Sequence, residues 1–186
     1  MKIKEKLIVI TRSVLPLVAL ALLAISTTFY YSPEAKSTYA KANRKLVPIY
    51  SVERNDKKVA LSFDAAWGNE DTEIILDILE KNDVKVTFFM TGGWVESYPE
   101  DVKKICKAGH DLGNHSENHK QMSRISGKEC EKEIMEVHEK VKKLTGVDMF
   151  LFRPPYGDYN DTLIKSVGNC GYYTIQWSVD TLATRV

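Results

Sequence analysis

His115-Ser-Glu-Asn-His119 sets two imidazoles four residues apart. On one helical turn that spacing brings both rings to the same side, where they can hold one divalent metal ion. Surface histidines share the spacing by chance, but here the pair follows a Gly-Asn turn at the end of a strand candidate. Ser62-Phe-Asp64 ends an apolar run in a carboxylate, which desolvation and neighbouring charge can tune for proton transfer. An N-cap or loop aspartate is the plainer alternative. Arg153-Pro-Pro-Tyr-Gly157 places a guanidinium before a stiff, extended dipeptide, able to grip a carboxylate such as Asp64 at two points or to serve as an ordinary surface turn. His110 and His138 have no partner at ligand spacing and read as structural or solvent-facing. Cys106, Cys130 and Cys170 show no C-x-x-C spacing and read as small buried hydrophobes.

The elements that must position these residues alternate. Apolar or β-branched runs at 59–63, 84–90, 110–114, 149–152 and 172–177 predict strands. Between them, 73–81, 98–108, 128–144 and 161–167 carry helical periodicity; Ile74, Ile75, Ile78 and Leu79 share one face, and Thr145-Gly146 closes the third helix. Such alternation predicts an α/β fold with a parallel sheet, open or closed into a barrel. Asp64, Thr91, His115, Arg153 and Asp180 then all fall at or just beyond the C-terminal ends of strands, the face on which (β/α) barrels build their sites.

The 186 residues are 44% hydrophobic and 27% charged, one ordinary domain with a small addition. Lys2, Lys4, Lys6 and Arg12 precede an apolar run from Val14 to Ile25 that reads on to the aromatic pair Tyr30-Tyr31. That is the pattern of an N-terminal transmembrane helix, residues 1–31, acting as a signal anchor or, if cleaved, a signal peptide. The positive-inside rule then makes the rest extracytoplasmic, membrane-anchored or secreted. Residues 32–56 read as a linker with one short strand or packing segment at Leu46–Tyr50, and 57–186 as the domain proper. Residues 41–186 carry 21 Lys and Arg against 23 Asp and Glu, with no basic patch to bind nucleic acid.

Leu61-Ser-Phe-Asp64, Phe88-Phe-Met-Thr-Gly92, Gly109 to His119, Phe152-Arg-Pro-Pro-Tyr-Gly157 and Gln176-Trp-Ser-Val-Asp180 together resemble the NodB-homology polysaccharide deacetylases, a carbohydrate esterase family, and within it the sporulation-associated, PdaB-like branch. The resemblance implies a distorted (β/α) barrel that removes N-acetyl groups from an N-acetylated cell-wall polysaccharide, peptidoglycan or chitin-like. It further implies that Asp64 is the base, that Arg153 orients it, and that His115 and His119 hold a divalent metal, zinc by preference. Pro155, Tyr156, Trp177 and Asp180 would line the substrate groove. Two departures accompany it. The family's second aspartate, a metal ligand, is here Ala65. After Asp180 the family continues with an Asp-Trp pair and a later Leu-x-His, where this sequence reads Thr181 to Val186, so the expected barrel is short at its C-terminus. The alternative expectation is a glycan-binding or truncated protein with impaired catalysis.

Overall fold

The computed structural model describes residues 45–181, together with the helical residues 18 and 20–23. Most of the expected membrane segment lies outside the described residues; among those described, no helix is long and apolar enough to cross a membrane. The chain divides into two units, Met1–Lys45 and Leu46–Val186. The second unit holds the sheet and the site residues.

Five strands, β1 (Ser62–Ala65), β2 (Thr87–Met90), β3 (Asp111–Asn114), β4 (Leu151–Phe152) and β5 (Tyr173–Thr174), form one sheet in the order β1-β2-β3-β4-β5. Every neighbouring pair is parallel. Sequential order without reversal is the winding of a (β/α) barrel, whereas doubly wound sheets reverse at a switch point. The strands are shorter than their apolar runs because pairing exists only where neighbours run alongside: Ser62 meets Thr87, and the ladder between β3 and β4 is a single pair, Asn114 with Phe152. Beyond β5, the short strand or packing segment expected at Leu46–Tyr50 joins the sheet. Ile49 bridges Ile175, its N–H donating to the Thr174 carbonyl at 2.8 Å and its carbonyl accepting from Gln176 at 2.9 Å.

The connecting helices are α1 (Thr72–Lys81), α2 (Gly92–Ser97), α3 (Pro99–Lys107), α4 (Gly127–Thr145) and α5 (Asp161–Asn169). The helix expected over 98–108 is α3, and a short helix that was not expected, α2, comes before it. Thr91 caps α2, its hydroxyl accepting from the Trp94 N–H at 3.2 Å. Tyr98 then leaves helical geometry at φ −130°, because a residue before proline is pushed out of the α region, and Pro99 opens α3. Helix α4 starts at the Ser126 cap and stops at Gly146, which takes the left-handed φ of 76°. Its Cys130, Ile134, Val137 and Val141 are fully buried beside Met90, Val102, Ile105, Phe152 and Leu163. On α1 the apolar face is only partly used: Leu79 is buried, while Ile74 and Ile78 stay exposed.

One packing arrangement connects this core to the chemistry. Gly113 of β3 lies beside Phe89 of β2, and a Cβ on Gly113 would overlap the Phe89 ring carbons. Phe89, 1% exposed, therefore lies across a glycine and presents its face to the Arg153 guanidinium, 4.0 Å from the ring centroid. We expect Gly113→Ala to destabilise the fold by about 1–3 kcal/mol through this overlap. Urea denaturation checks it, and a midpoint unchanged from the wild type would show that the ring is free to move.

Candidate active site

The site assembles on the C-terminal ends of the strands, as expected. Asp64 is the third residue of β1, His115 follows β3 directly, and Arg153 follows β4 directly. Arg153, 6% exposed, reaches back across the sheet. Its Nη1 donates to Asp64 Oδ1 at 2.6 Å and its Nη2 to Ser62 Oγ at 2.7 Å. Its backbone N–H donates to the Asn114 carbonyl at 2.9 Å. The guanidinium thus holds one carboxylate oxygen of Asp64. The other, Oδ2, stands 3.8 Å from His115 Nε2.

The loop carrying the two histidines is not the helical turn expected. Residues 115–120 are irregular, and Ser116 and His119 take positive φ values of 66° and 53°. Local polar groups impose this path, offering the backbone partners a helix would not use. The Ser116 N–H donates to Asn114 Oδ1 and the His119 N–H to Ser116 Oγ, each at 3.0 Å. Asn114 is anchored in turn, its Nδ2 donating to the Ile134 carbonyl of α4 at 2.7 Å. Glu133, on the buried face of α4, accepts from both the backbone and side-chain amides of Asn118, at 2.8 and 2.9 Å, and pairs with Lys120 at 2.7 Å. Burial alone would raise the Glu133 carboxyl; these donors outweigh it and hold the pKa below the ordinary value. By this route the rings of His115 and His119 meet edge to face, 5.0 Å apart.

Three observations test whether this pair suits a metal ion. His115 Nδ1 donates to the Arg153 carbonyl at 2.7 Å, which leaves the lone pair on Nε2. His119 Nδ1 is buried without a hydrogen-bond partner. Burial, opposed only in part by Asp64, pushes His115 down to about 4 and His119 below its usual range, so both rings are neutral near pH 7. Two neutral imidazoles with free lone pairs fit as two nitrogen ligands. The set stops there. Ala65 offers only a methyl, packed partly buried against the core, and Asp71 is exposed at the start of α1. Among the described residues no group of three His, Cys, Asp or Glu is placed to hold a metal ion, against the three protein ligands usual in catalytic zinc sites.

The remaining expected site residues divide. Pro155 is buried in the 3-10 turn Pro155–Gly157; Tyr156, 64% exposed, carries a left-handed φ of 61° and sets its ring 4.6 Å from that of His119. Trp177 is half-buried, 5.6 Å from the Arg153 guanidinium, and its ring would meet a Cβ on Gly157 at 3.1 Å. Asp180 is not at a strand end. It lies exposed on the coil six residues beyond Thr174, the end of β5.

The polysaccharide deacetylase family model matches residues 51–175. The chain belongs to the polysaccharide deacetylase family. It is 37% identical over 135 residues to the YlxY protein of Bacillus subtilis, covering 73% of this chain and 42% of that one. To the peptidoglycan-N-acetylmuramic acid deacetylase PdaA of the same organism it is 33% identical over 148 residues, covering 79% and 56%. Among solved structures it is similar to wild-type BA3943 of Bacillus anthracis, described as a CE4 family pseudoenzyme, with TM-score 0.72, 36% identity, and coverage of 75% of this chain and 50% of that one. A mutant of BA3943 is described as having restored enzymatic activity. The chain spans about half the length of the curated relatives it matches.

This deacetylase-family site also uses residues that the motifs did not single out for chemistry. Ser62 and Asn114 belonged to the matching stretches but carried no role there. Glu133 was visible only as an acid on the apolar face of α4, between Cys130 and Ile134. Phe89 and Gly113 gave no separate signal, since their pairing depends on strand register.

The buried, neutral His115 makes metal-free stability depend on pH. Its folded pKa of about 4 lies below the ordinary 6.5, so unfolding takes up a proton between those values. The stabilisation is complete above about pH 6.5, declines as pH falls to about 4 and levels off below; its upper bound is about 3 kcal/mol. Urea midpoints measured from pH 7.5 to 4 without metal check this, with His115→Gln expected to flatten the slope.

Proposed function

We propose that this chain acts on an N-acetylated cell-wall polysaccharide, peptidoglycan or a chitin-like glycan, hydrolysing the amide bond of its N-acetyl groups. The observation that carries the reading is the Asp64 carboxylate, gripped on Oδ1 by a buried arginine and open on Oδ2 beside two neutral imidazoles. Arg153 keeps Asp64 oriented, so that Oδ2 can accept the proton of an attacking water. The water oxygen bonds to the carbonyl carbon, and the bond between carbonyl carbon and nitrogen breaks. The proton taken up by Asp64 passes to the departing nitrogen, leaving acetate and a free sugar amine. The backbone N–H at Tyr156, on a turn strained to φ 61°, is the candidate donor to the developing oxyanion. A divalent ion on His115 and His119, zinc by preference, would supply Lewis-acid polarisation of the acetamide carbonyl. Pro155 and Trp177 line the groove, and Asp180 is kept as an outer contact.

Finer expectations go with the same reading: the parallel sheet as part of a distorted (β/α) barrel, the sporulation-associated branch, and an extracytoplasmic placement, anchored or secreted. Their support is the N-terminal basic and apolar pattern and the sequential strand order.

Ala65 favours a second reading, glycan binding without turnover, because two imidazoles hold a metal less tightly than a complete ligand set. Acetate release from N-acetylglucosamine oligomers and peptidoglycan by the full-length chain, with zinc or cobalt added, separates the two. Release that falls about 10²–10⁴-fold in Asp64→Asn is the expected result. Glycan binding without release would leave the second reading standing.

Cobalt titrations of the wild type and of Ala65→Asp form a companion test. The added carboxylate is expected to tighten cobalt binding and to raise acetate release. Equal affinities would show that position 65 does not limit the site.

A further inference from the structure

Trp67 is 77% exposed, while Trp94, on the neighbouring α2, is 3% exposed. Single surface hydrophobes are ordinary, but the surroundings of this indole are specific. Its ring lies 4.9 Å from that of His119, edge to face, and Tyr156 approaches the same imidazole at 4.6 Å. Two exposed aromatic rings from different loops therefore converge on one half-buried histidine of the site. The Trp67 loop is also fixed in advance. The buried Trp94 donates its Nε1–H to the Gly68 carbonyl at 2.6 Å, and Gly68 makes the turn with a left-handed φ of 61°. Tyr156 is held by a strained turn of its own, φ 61°, which a bulky residue adopts only when its surroundings require it.

We propose that Trp67 and Tyr156 form an aromatic seat for one pyranose ring of an N-acetylated glycan at His119, with Trp67 a substrate-positioning residue. The inference rests on the proposed glycan reading and assigns Trp67 a role that the site residues already named do not cover. A pyranose has apolar C–H faces and a polar hydroxyl edge. The seat matches that division: exposed aromatic surface from Trp67 and Tyr156, with the imidazole of His119 between them and the carboxylate of Asp64 in the same site. An extended apolar partner would call for a continuous apolar surface, whereas Trp67 is followed in sequence by Gly68, Asn69, Glu70 and Asp71. Rigid aromatic surface also loses little conformational freedom on binding, so a fixed indole adds affinity at small entropic cost.

Titration of the full-length chain with the N-acetylglucosamine tetramer, by calorimetry and by tryptophan emission, tests the seat. In the wild type the ligand should move emission to shorter wavelength as an exposed indole is covered. Trp67→Ala should bind about tenfold more weakly, the loss of one aromatic stacking contact. Trp67→Phe should recover most of that loss while lacking the emission shift. Melting temperatures should stay close to the wild type, since the side chain buries little, and Phe150→Ala, an exposed aromatic outside the seat, should bind normally. Tetramer affinity within twofold of the wild type in Trp67→Ala, or no tetramer binding by the wild type, overturns the seat. Acetate release on the same samples keeps the two readings apart. Trp67-dependent binding without release defeats deacetylation and supports the seat, and release with Trp67-independent binding does the reverse.

Discussion

The contact between Arg153 and Asp64 is the one on which the rest of the site depends. A guanidinium that is 6% exposed cannot be left unpaired; removing one partner of such a pair typically costs about 3–5 kcal/mol, because the other charge stays buried without compensation. The pair spans the sheet from the end of β4 to β1, so it fixes those two strands relative to each other across β2 and β3. Passage over the intervening strands needs a low surface with some affinity for a cation. Phe89 supplies the ring face, and Gly113 supplies the absence of a side chain that lets the ring lie there. The same arginine accepts the His115 Nδ1–H at its backbone carbonyl and so chooses the imidazole tautomer. One residue thereby sets the orientation of the carboxylate, the imidazole tautomer and the spacing between them.

A second layer of buried polar groups holds the histidine loop. Asn114 and Glu133 are both almost wholly buried, and each makes hydrogen bonds to the loop and ties it to α4. Buried polar groups satisfied in this way define a single geometry, because any alternative leaves a donor or acceptor without a partner. That explains how two residues with positive φ persist within six positions. The loop's unusual backbone is imposed by side chains anchored on a helix, and the histidines inherit their convergence from it.

Much of this was legible in the residues. Alternating strands and helices announced the parallel sheet, and Asp64, His115 and Arg153 stood out as polar residues ending apolar runs. The path of the histidine loop was not legible, because a four-residue spacing fits a helical turn as readily as this one, and the choice is made by Asn114 and Glu133 at a distance. The short helix α2 was not read from the residues, although the break at Tyr98 that separates it from α3 follows from Pro99, since the residue before a proline avoids helical geometry. Asp180 was placed by counting from a six-residue strand; β5 pairs over only two, so the aspartate falls well beyond it. The contribution of Ile49 to the sheet was foreshadowed by the apolar run Leu46–Tyr50, read as a short strand or packing segment, though its partner, Ile175, was not.

The site's composition has a physical logic of its own. On one side a carboxylate, Asp64, is oriented by an arginine whose guanidinium is shared with a serine. On the other, where a divalent ion would bind, stand two imidazoles and a methyl at the position where the family pattern has a carboxylate. A third protein ligand does two things in such sites: it raises affinity, and its charge lowers the net positive field felt by the substrate carbonyl and the base. With two neutral ligands a bound ion would be held more loosely but would act with its full charge on Asp64, 3.8 Å from the His115 nitrogen. A field of that kind favours the ionised carboxylate and so weakens it as a base. A missing third ligand would therefore act on both sides of the site, through occupancy of any metal and through the basicity of Asp64 as a proton acceptor.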